Sequence, residues 1–173
     1  MRADRERDYV AYVEAHALRL RRVAYHLCGS WQGAEDLVQD ALLRAYVHWG
    51  RAAAAESVHG YVRTILVRVY LEQTRRAWFR RMLPTAQPPD RPAPPGADPL
   101  DRLDLHAAID RLPAGQRTVL VLRYFEGLDV NQTARVLRRS PGTVKSQTAA
   151  AIAHLRDLLP GDQGAARQST SRE

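Results

Sequence analysis

Residues 112–147 have the sequence LPAGQRTVLVLRYFEGLDVNQTARVLRRSPGTVKSQ, and this stretch contains two helix starts in close succession. Asp129, followed three residues later by Gln132, can form a capping box. Ser140 before Pro141 places a capping residue ahead of a proline at the first helical position. The pattern predicts two short helices joined by a turn of about three residues, which is typical of a helix-turn-helix.

The second helix of this pair begins with small polar and basic side chains, where a recognition helix meets DNA. The candidate DNA contacts are Arg138, Arg139, Ser140, Thr143, Lys145, Ser146, Gln147 and Thr148. The apolar residues Val144, Ala151, Ile152 and Leu155 are expected to pack on Val119, Leu122, Ala134 and Leu137. An ordinary helical hairpin with a polar outer face would give a similar pattern, and the basic residues beside that face favour DNA.

The composition of the whole chain is typical of a globular protein with a basic partner surface. Of 173 residues, 45% are hydrophobic and 26% are charged, and the formal net charge is +7. Lys145 is the only lysine among 26 basic residues. The arginines suit phosphate recognition, although a GC-rich genome would also favour them.

Several classes of protein are excluded by what the sequence contains. Cys28 is the only cysteine, so a disulfide framework and a cysteine-based zinc site are excluded. The charged N-terminus and the lack of a long apolar run predict a cytoplasmic protein without membrane insertion. No Gly-rich phosphate loop, metal cluster or nucleophile with a base is found, so we expect no enzyme, no catalytic residue, no metal site and no cofactor.

The chain is divided by a proline-rich segment. Seven of the ten prolines lie between Pro84 and Pro99. We predict an all-α fold with one domain over residues 1–83, a linker over 84–100, a second domain over 101–160 and a disordered tail over 161–173. Seven helices are expected: from about Asp8 to Cys28, Ser30 to Trp49, Ser57 to Arg80, Asp98 to Leu112, Pro113 to Tyr124, Asp129 to Leu137 and Ser140 to Leu159.

The second predicted helix carries an acidic run, AEDLVQD, at residues 34–40. General acid and base catalysis is one possible use of its carboxylates, but no nucleophile or converging histidine accompanies them. A solvated helix face is a second reading. On a basic, DNA-directed protein, an exposed acidic face favours contact with a basic protein partner.

The third predicted helix alternates arginines with aromatic residues in HGYVRTILVRVYLEQTRRAWFRR, residues 59–81. Arginines contact phosphates, and aromatic faces stack on unpaired bases at about 1–3 kcal/mol each. The segment therefore suits single-stranded DNA. Tyr61 and Tyr70 are more simply explained as core residues.

These motifs together resemble the extracytoplasmic-function (group 4) sigma factors of bacterial RNA polymerase. Residues 112–147 resemble region 4, which binds the minus-35 promoter element and the flap of the second largest polymerase subunit. Residues 34–40 resemble region 2.2, which docks on the clamp helices of the largest subunit. The third helix resembles regions 2.3 and 2.4, which capture the minus-10 element. Trp31, residues 61–64 and Trp78 are similar to the actinobacterial SigE-like branch.

The resemblance implies a role for each group of residues. The polymerase contacts would be Asp36, Leu37, Val38, Gln39 and Asp40. The minus-10 contacts would be Ser57, His59, Arg63, Arg68, Glu72, Arg75, Arg76 and Trp78. The eight helix-turn-helix residues given above would contact minus-35 DNA. The expected partners are core RNA polymerase and promoter DNA, with an anti-sigma factor as a further candidate.

The sequence departs from the family pattern at several of these positions. Arg138 and Arg139 stand where a glycine and an apolar residue are usual, and a left-handed backbone at Arg138 would cost about 1 kcal/mol relative to glycine. Val67 and Arg68 replace an Arg-Asn pair, and Glu72 replaces an aspartate. Gln147 and Ala150 stand where arginines are frequent.

We therefore predict a sigma factor that directs promoter-specific initiation of transcription. The alternative is a stand-alone helix-turn-helix regulator of duplex DNA, which would leave the acidic run and the Arg-rich third helix unexplained. The proline-rich linker further predicts that the two domains sample many separations in the free protein and become ordered relative to each other only on polymerase.

Overall fold

A computed structural model describes residues 2–82 and 100–159 of the chain. We call residues 2–82 the N-terminal lobe and residues 100–159 the C-terminal lobe. The predicted helix start at Asp98, residues 84–99 of the predicted linker and the predicted tail lie outside the described residues.

The described residues form eight α-helices and one π-helical turn, without a strand. The N-terminal lobe contains α1 (Arg2–Cys28), α2 (Trp31–Val47), α3 (Trp49–Ala53) and α4 (Val58–Met82). The C-terminal lobe contains α5 (Leu100–Arg111), α6 (Ala114–Leu120), the π-helical turn (Val121–Phe125), α7 (Val130–Leu137) and α8 (Pro141–Leu158). The predicted all-α fold is confirmed.

The helix starts of this fold are set by local capping. Ser30 accepts a hydrogen bond from the Gly33 amide at 3.2 Å, and Ser57 accepts one from the Gly60 amide at 3.0 Å. Asp129 and Gln132 form both bonds of the predicted capping box, at 2.7 and 2.9 Å. Each such cap stabilises its helix by about 1 kcal/mol, so the helix starts follow directly from short sequence signals.

Three predicted helix boundaries are wrong. The first helix begins at Arg2, because the charged N-terminal segment is itself helical and pairs Arg7 with Asp4 one turn away. The second helix ends at Val47, and α3 follows as a separate short helix. The fifth predicted helix changes to π-helical geometry after Leu120, where the Glu126 amide donates to the Val121 carbonyl at 3.0 Å.

The core of the N-terminal lobe lies among α1, α2 and α4. Its largest fully buried side chains include Leu20, Leu27, Leu37 and Leu66. Tyr70 is also buried, as expected, and Tyr61 packs partly buried against the same core. The helical repeat of the sequence therefore predicted most of this core correctly.

The C-terminal lobe packs directly against the N-terminal lobe. Val121 and Leu122 of the π-helical turn and Val136 of α7 are buried in the same apolar cluster as the N-terminal core. The expectation that Leu122 supports the recognition helix is wrong, because Ala151 of α8 packs on Leu112 and Leu120 instead. The expectation of lobes without a fixed contact also disagrees with this structure, since an apolar surface on the π-helical turn is buried by the contact.

Arg117 of α6 fixes a second part of the contact between the lobes. Its guanidinium is buried and donates to the Leu27 carbonyl at the end of α1, at 2.8 Å. The same group donates to the Asp110 and Leu112 carbonyls. Gly29, at φ +71°, leaves no room for a side chain, because a Cβ there would overlap the Asp110 carboxylate. The end of α1 is therefore fitted closely to the C-terminal lobe.

Aromatic rings complete the contact beside Arg117. His26 of α1 lies 3.9 Å from the Phe125 ring centre and is stacked against His106 of α5, at 5.3 Å. Burial, and then the neighbouring His106, lower the pKa of His26 to about 4. His26 is therefore neutral at neutral pH, and the ring stack holds no unfavourable charge there.

Candidate functional site

The acidic face of α2 is exposed, as a docking surface requires. Asp36, Gln39 and Asp40 are exposed to solvent, and the Asp40 carboxylate accepts a hydrogen bond from Gln73 at 3.0 Å. Leu37 and Val38, by contrast, are 0% and 6% exposed and belong to the core. As polymerase contacts these two residues are wrong, because their side chains face α1 and α4 rather than solvent.

Sequence reasoning missed an apolar extension of this acidic face. Leu43 and Val47 are each 64% exposed, and Tyr46 is 45% exposed. Leu43 and Val47 follow Asp36 and Asp40 at helical spacing, so the four residues share one side of α2. The signal in the sequence was that the apolar repeat of α2 contains more apolar side chains than one face of the helix can bury. We call Asp36, Asp40, Leu43 and Val47 the α2 stripe.

Helix α4 presents half of the eight predicted minus-10 residues to solvent. Arg68, Arg75, Arg76 and Trp78 are exposed. The Trp78 ring contacts the Phe79 ring edge to face, with ring centres 5.0 Å apart, and both rings are more than half exposed. The helix therefore offers cations and free aromatic faces together, which is the combination that binds unpaired bases and their phosphates.

Glu72 of α4 orients the arginines around it. Its carboxylate accepts a hydrogen bond from Arg44 of α2 at 2.9 Å and one from Arg76 on the next turn of α4. Hydrogen bonding and charge from Arg44, followed by the charge of Arg76, lower the pKa of Glu72. With its carboxylate engaged in this way, Glu72 is a positioning group for the Arg76 side chain.

The other predicted minus-10 residues lie at the start of α4, where His59 and Arg63 are partly buried and Ser57 is exposed. Ser57 caps the helix, so its hydroxyl accepts from the Gly60 amide. His59 Nδ1 lies 3.2 Å from the Tyr12 hydroxyl, and the His59 ring is 5.1 Å from that of His16. Ser57 and His59 therefore help to fix the N-terminal end of α4.

A carboxylate from the C-terminal lobe reaches these first-turn residues. Glu126, directly after the π-helical turn, is 2% exposed at its side chain. It accepts hydrogen bonds from Arg63 at 3.1 Å and from Arg19 of α1 at 3.3 and 3.4 Å. His59 Nε2 lies 3.6 Å from the same carboxylate. We call Arg19, His59 and Arg63 the basic pocket.

The ionisation of Glu126 follows from this pocket. Burial by itself raises the pKa of a carboxyl group, but the interactions with His59 and Arg63 and the charge of Arg19 outweigh burial and lower the pKa of Glu126 to about 2. A lowered folded-state pKa stabilises the contact above the ordinary pKa of 4.5, and this contribution is lost as the pH falls towards 2. Glu126 is therefore ionised at neutral pH.

The helix-turn-helix has the predicted geometry. Arg138 ends α7 in a left-handed conformation, with φ 52° and ψ 48°, and the Arg139 amide donates to the Ala134 carbonyl at 3.0 Å. This backbone costs about 1 kcal/mol for a side chain other than glycine. The turn nevertheless forms with arginine in place of glycine. Both arginine side chains are exposed beside the recognition helix α8.

Some side chains at the start of α8 make hydrogen bonds within the helix, and others are exposed or line a cavity. Ser140 caps the helix by accepting from the Thr143 amide at 3.1 Å. The Ser146 and Thr148 hydroxyls donate to carbonyls of their own helix, at 3.0 and 2.7 Å. Lys145 is exposed, so it offers the clearest cationic contact on this helix. Thr143 and Gln147 line a cavity of about 250 Å³ between α4 and the helix-turn-helix.

The two predicted DNA-contacting surfaces meet at the lobe contact. Burial, and then the charge of Arg138, lower the pKa of Arg68. Two arginines that we assign to different promoter elements are therefore neighbours in this arrangement, with unfavourable charge between them.

Within residues 2–82 and 100–159, no group of three or more metal-binding side chains is found. Over the same residues, no helix is long and apolar enough to cross a membrane.

Comparison with known families identifies the family of this chain. The family model described as Sigma-70 region 2 matches residues 12–80, and the one described as Sigma-70 region 4 matches residues 102–155. The two matches cover the acidic face, the Arg-rich helix and the helix-turn-helix. The chain belongs to the sigma factors of RNA polymerase. This family membership makes it a factor that directs the initiation of transcription.

Curated relatives agree with this assignment over nearly the whole chain. The RNA polymerase sigma-E factor of Streptomyces avermitilis is 33% identical over 88% of this chain and 85% of its own length. The ECF RNA polymerase sigma factor SigL of Mycobacterium tuberculosis is 32% identical over 86% of this chain and 87% of its own. The chain is therefore an extracytoplasmic-function (ECF) sigma factor. Because sigma-E and SigL relatives both match at about one third identity, the SigE-like branch stays a prediction.

Solved structures share the fold. The sigma factor RpoE of Bartonella quintana, in complex with the anti-sigma factor NepR, matches with a TM-score of 0.70 and 26% identity over 90% of this chain and 99% of that one. CnrH, in complex with the cytosolic domain of CnrY, matches with a TM-score of 0.61 at 19% identity over 91% of this chain and 90% of its own. Sigma factors are non-enzymatic, and the expectation that this chain is not an enzyme is confirmed on that ground.

Proposed function

We propose that the two lobes of this sigma factor divide its work. The N-terminal domain, residues 1–83, docks on the clamp helices of core polymerase and captures the minus-10 element. The C-terminal domain, residues 101–160, binds minus-35 DNA and the polymerase flap. The observation that carries this proposal is that each lobe exposes one candidate DNA-binding helix: the Arg-rich aromatic helix α4 and the capped recognition helix α8.

Polymerase docking is assigned to the α2 stripe. An acidic patch next to exposed apolar side chains suits a basic protein surface with an apolar centre. The stripe lies on α2, and the exposed end of α4 that holds Trp78 belongs to the same lobe. One lobe could therefore hold polymerase and melted DNA together.

Two finer assignments complete the proposal. The first is an anti-sigma factor as a regulator, which the complex of RpoE with the anti-sigma factor NepR supports by analogy. The second is action in the cytoplasm, where the polymerase works. The promoter itself would be found by transcribing genomic DNA with this protein and core polymerase and mapping the start sites.

The double variant Arg75→Ala and Arg76→Ala is expected to weaken promoter binding by the holoenzyme and to flatten its salt dependence. Each phosphate contact on duplex DNA contributes about 0.9 to the slope of log K against log salt, and about 0.7 on a single strand. The slope should therefore fall by about 1.5 when both contacts are lost. Holoenzyme affinity for promoter DNA measured over a salt series gives this number.

The control for this experiment is the double variant Arg5→Ala and Arg7→Ala, which removes the same charge from exposed positions on α1. It should leave the slope unchanged. Equal slopes for the wild type and the α4 variant would show that Arg75 and Arg76 do not contact DNA and would overturn their assignment.

A further inference from the structure

Glu126 is an acidic side chain of one lobe held inside a basic pocket of the other. Its partners, Arg19, His59 and Arg63, come from α1 and α4, whereas Glu126 follows the π-helical turn. The two side chains that meet at 3.1 Å, Glu126 and Arg63, are 2% and 14% exposed. The contact is therefore enclosed by both lobes, unlike the exposed ion pairs on the surface of α1.

The basic pocket has more hydrogen-bond donors than the carboxylate uses. Arg63 Nε and His59 Nε2 are both buried without a hydrogen-bond partner. A carboxylate offers two oxygens in one plane, while a phosphodiester offers oxygens in a tetrahedral arrangement around phosphorus. Three cationic or neutral donors around a single anion, two of them with unused N–H capacity, are better matched to a phosphate group.

The position of the pocket connects it with minus-10 capture. His59 and Arg63 lie in the first turns of α4, the helix whose exposed end we assign to unpaired DNA. Arg19 was not among the residues selected from the sequence, because it lies on α1 and joins the pocket only through the fold. All three side chains belong to the N-terminal lobe, so the pocket persists when the lobes separate.

The lobes must separate for both promoter elements to be bound. The minus-10 and minus-35 elements are about 25 base pairs apart, which is roughly 85 Å of duplex at 3.4 Å per base pair. A compact protein of this length has a radius of gyration of about 16 Å. A length of chain equal to that between Met82 and Leu100 spans at most roughly 60 Å when extended, so the widths of the two lobes must supply the rest of the distance.

We propose that Arg19, His59 and Arg63 form a binding site for a backbone phosphate of the melted minus-10 strand, and that Glu126 occupies this site in the closed protein in place of the phosphate. This proposal rests on the proposed function. Separation of the lobes removes Glu126 and leaves three donors open to DNA. The closed chain thereby hides a DNA contact until polymerase holds the lobes apart.

The first test uses free full-length protein and a labelled oligothymidine of about 20 nucleotides as the probe. Glu126→Gln should bind the oligonucleotide about tenfold more tightly than the wild type, because the competing charge is gone. The matched control is Glu35→Gln, which makes the same charge change in the exposed pair with Arg21 and should have little effect. Adding Arg19→Gln and Arg63→Gln to the Glu126→Gln protein should cancel the gain.

The second test uses the holoenzyme and its promoter. Arg19→Gln should weaken binding of the minus-10 strand as much as Arg63→Gln does, whereas Glu126→Gln should have no effect once the lobes are apart. Thermal unfolding of each variant identifies any general loss of fold, and a variant that fails to fold is replaced by Arg19→Ala or Glu126→Ala, which also remove the charge. If Arg19 served only to hold the lobes together in the free protein, Arg19→Gln would not change binding of the minus-10 strand by the holoenzyme.

Two results would overturn the proposal. One is an unchanged oligonucleotide affinity of Glu126→Gln relative to Glu35→Gln. The other is normal minus-10 binding by the Arg19→Gln holoenzyme. Failure of the proposed function gives a different result, namely unchanged binding by the Arg75→Ala and Arg76→Ala holoenzyme, so the two failures can be separated.

Discussion

Reversing the charge at Asp36 and Asp40 together is expected to weaken binding to core polymerase at least tenfold. Both carboxylates are exposed on α2, so the double Asp→Arg variant should fold normally. Placing like charges against a basic partner costs several kcal/mol, and each 1.4 kcal/mol is about a factor of ten in affinity. Competition with labelled wild-type protein for core polymerase measures the loss.

The matched control for the docking surface is the double variant Glu6→Arg and Glu14→Arg. These two glutamates are exposed on α1 and give the same change in net charge. The control should keep normal affinity. If the α2 variant also kept it, the α2 stripe would not be the docking surface.

Truncating Leu122 to Ala is expected to lower the free energy of unfolding by about 2–5 kcal/mol. Leu122 is fully buried and joins the π-helical turn to the core of the N-terminal lobe. The variant leaves a cavity at the contact between the lobes. The truncation should therefore weaken both the fold and the contact between the two lobes. Chemical denaturation of the two proteins gives the difference.

Leu18→Ala is the matched control for this truncation. Leu18 is 60% exposed on α1, so its loss should change stability by no more than about 0.5 kcal/mol. A Leu122→Ala protein as stable as the Leu18→Ala protein would mean that the π-helical turn is not packed on the N-terminal core.

Local features of this fold could be predicted from the sequence, because their causes are local. Ser30, Ser57, Asp129 and Ser140 all cap the helices that their spacing predicted. The left-handed turn at Arg138 was expected from the family resemblance, because a glycine is usual at this position. Such contacts form within three or four residues, so the order of residues determines them.

Residues inside an otherwise correct motif were harder to assign. Leu37 and Val38 lie within the acidic run, yet their helical spacing places them in the core. The periodicity itself contained this signal, and the resemblance of the whole run to a docking motif obscured it. The exposed apolar side chains of Leu43 and Val47 were missed because an apolar repeat does not tell which partner covers a helix face.

Contacts between the lobes could not be predicted from one sequence. Leu122 repeats at the spacing of a core residue, but the repeat cannot say whether that core belongs to its own lobe or to the other. Glu126 beside Gly127 looks like an ordinary turn residue, and Arg117 like an ordinary helix arginine. Both obtain their partners, Arg63 and the Leu27 carbonyl, from segments that are 63 and 90 residues away.

The most direct test of the closed arrangement and its opening is a distance measurement between labels on the two lobes. Labels at Ala15→Cys on α1 and Ala153→Cys on α8 are both exposed, in a Cys28→Ser background. The free protein should give one short, narrow distance, and the core-bound protein a clearly longer one. A broad distribution in the free protein, or the same short distance on core polymerase, would contradict a sigma factor that is closed when free and opens on the enzyme.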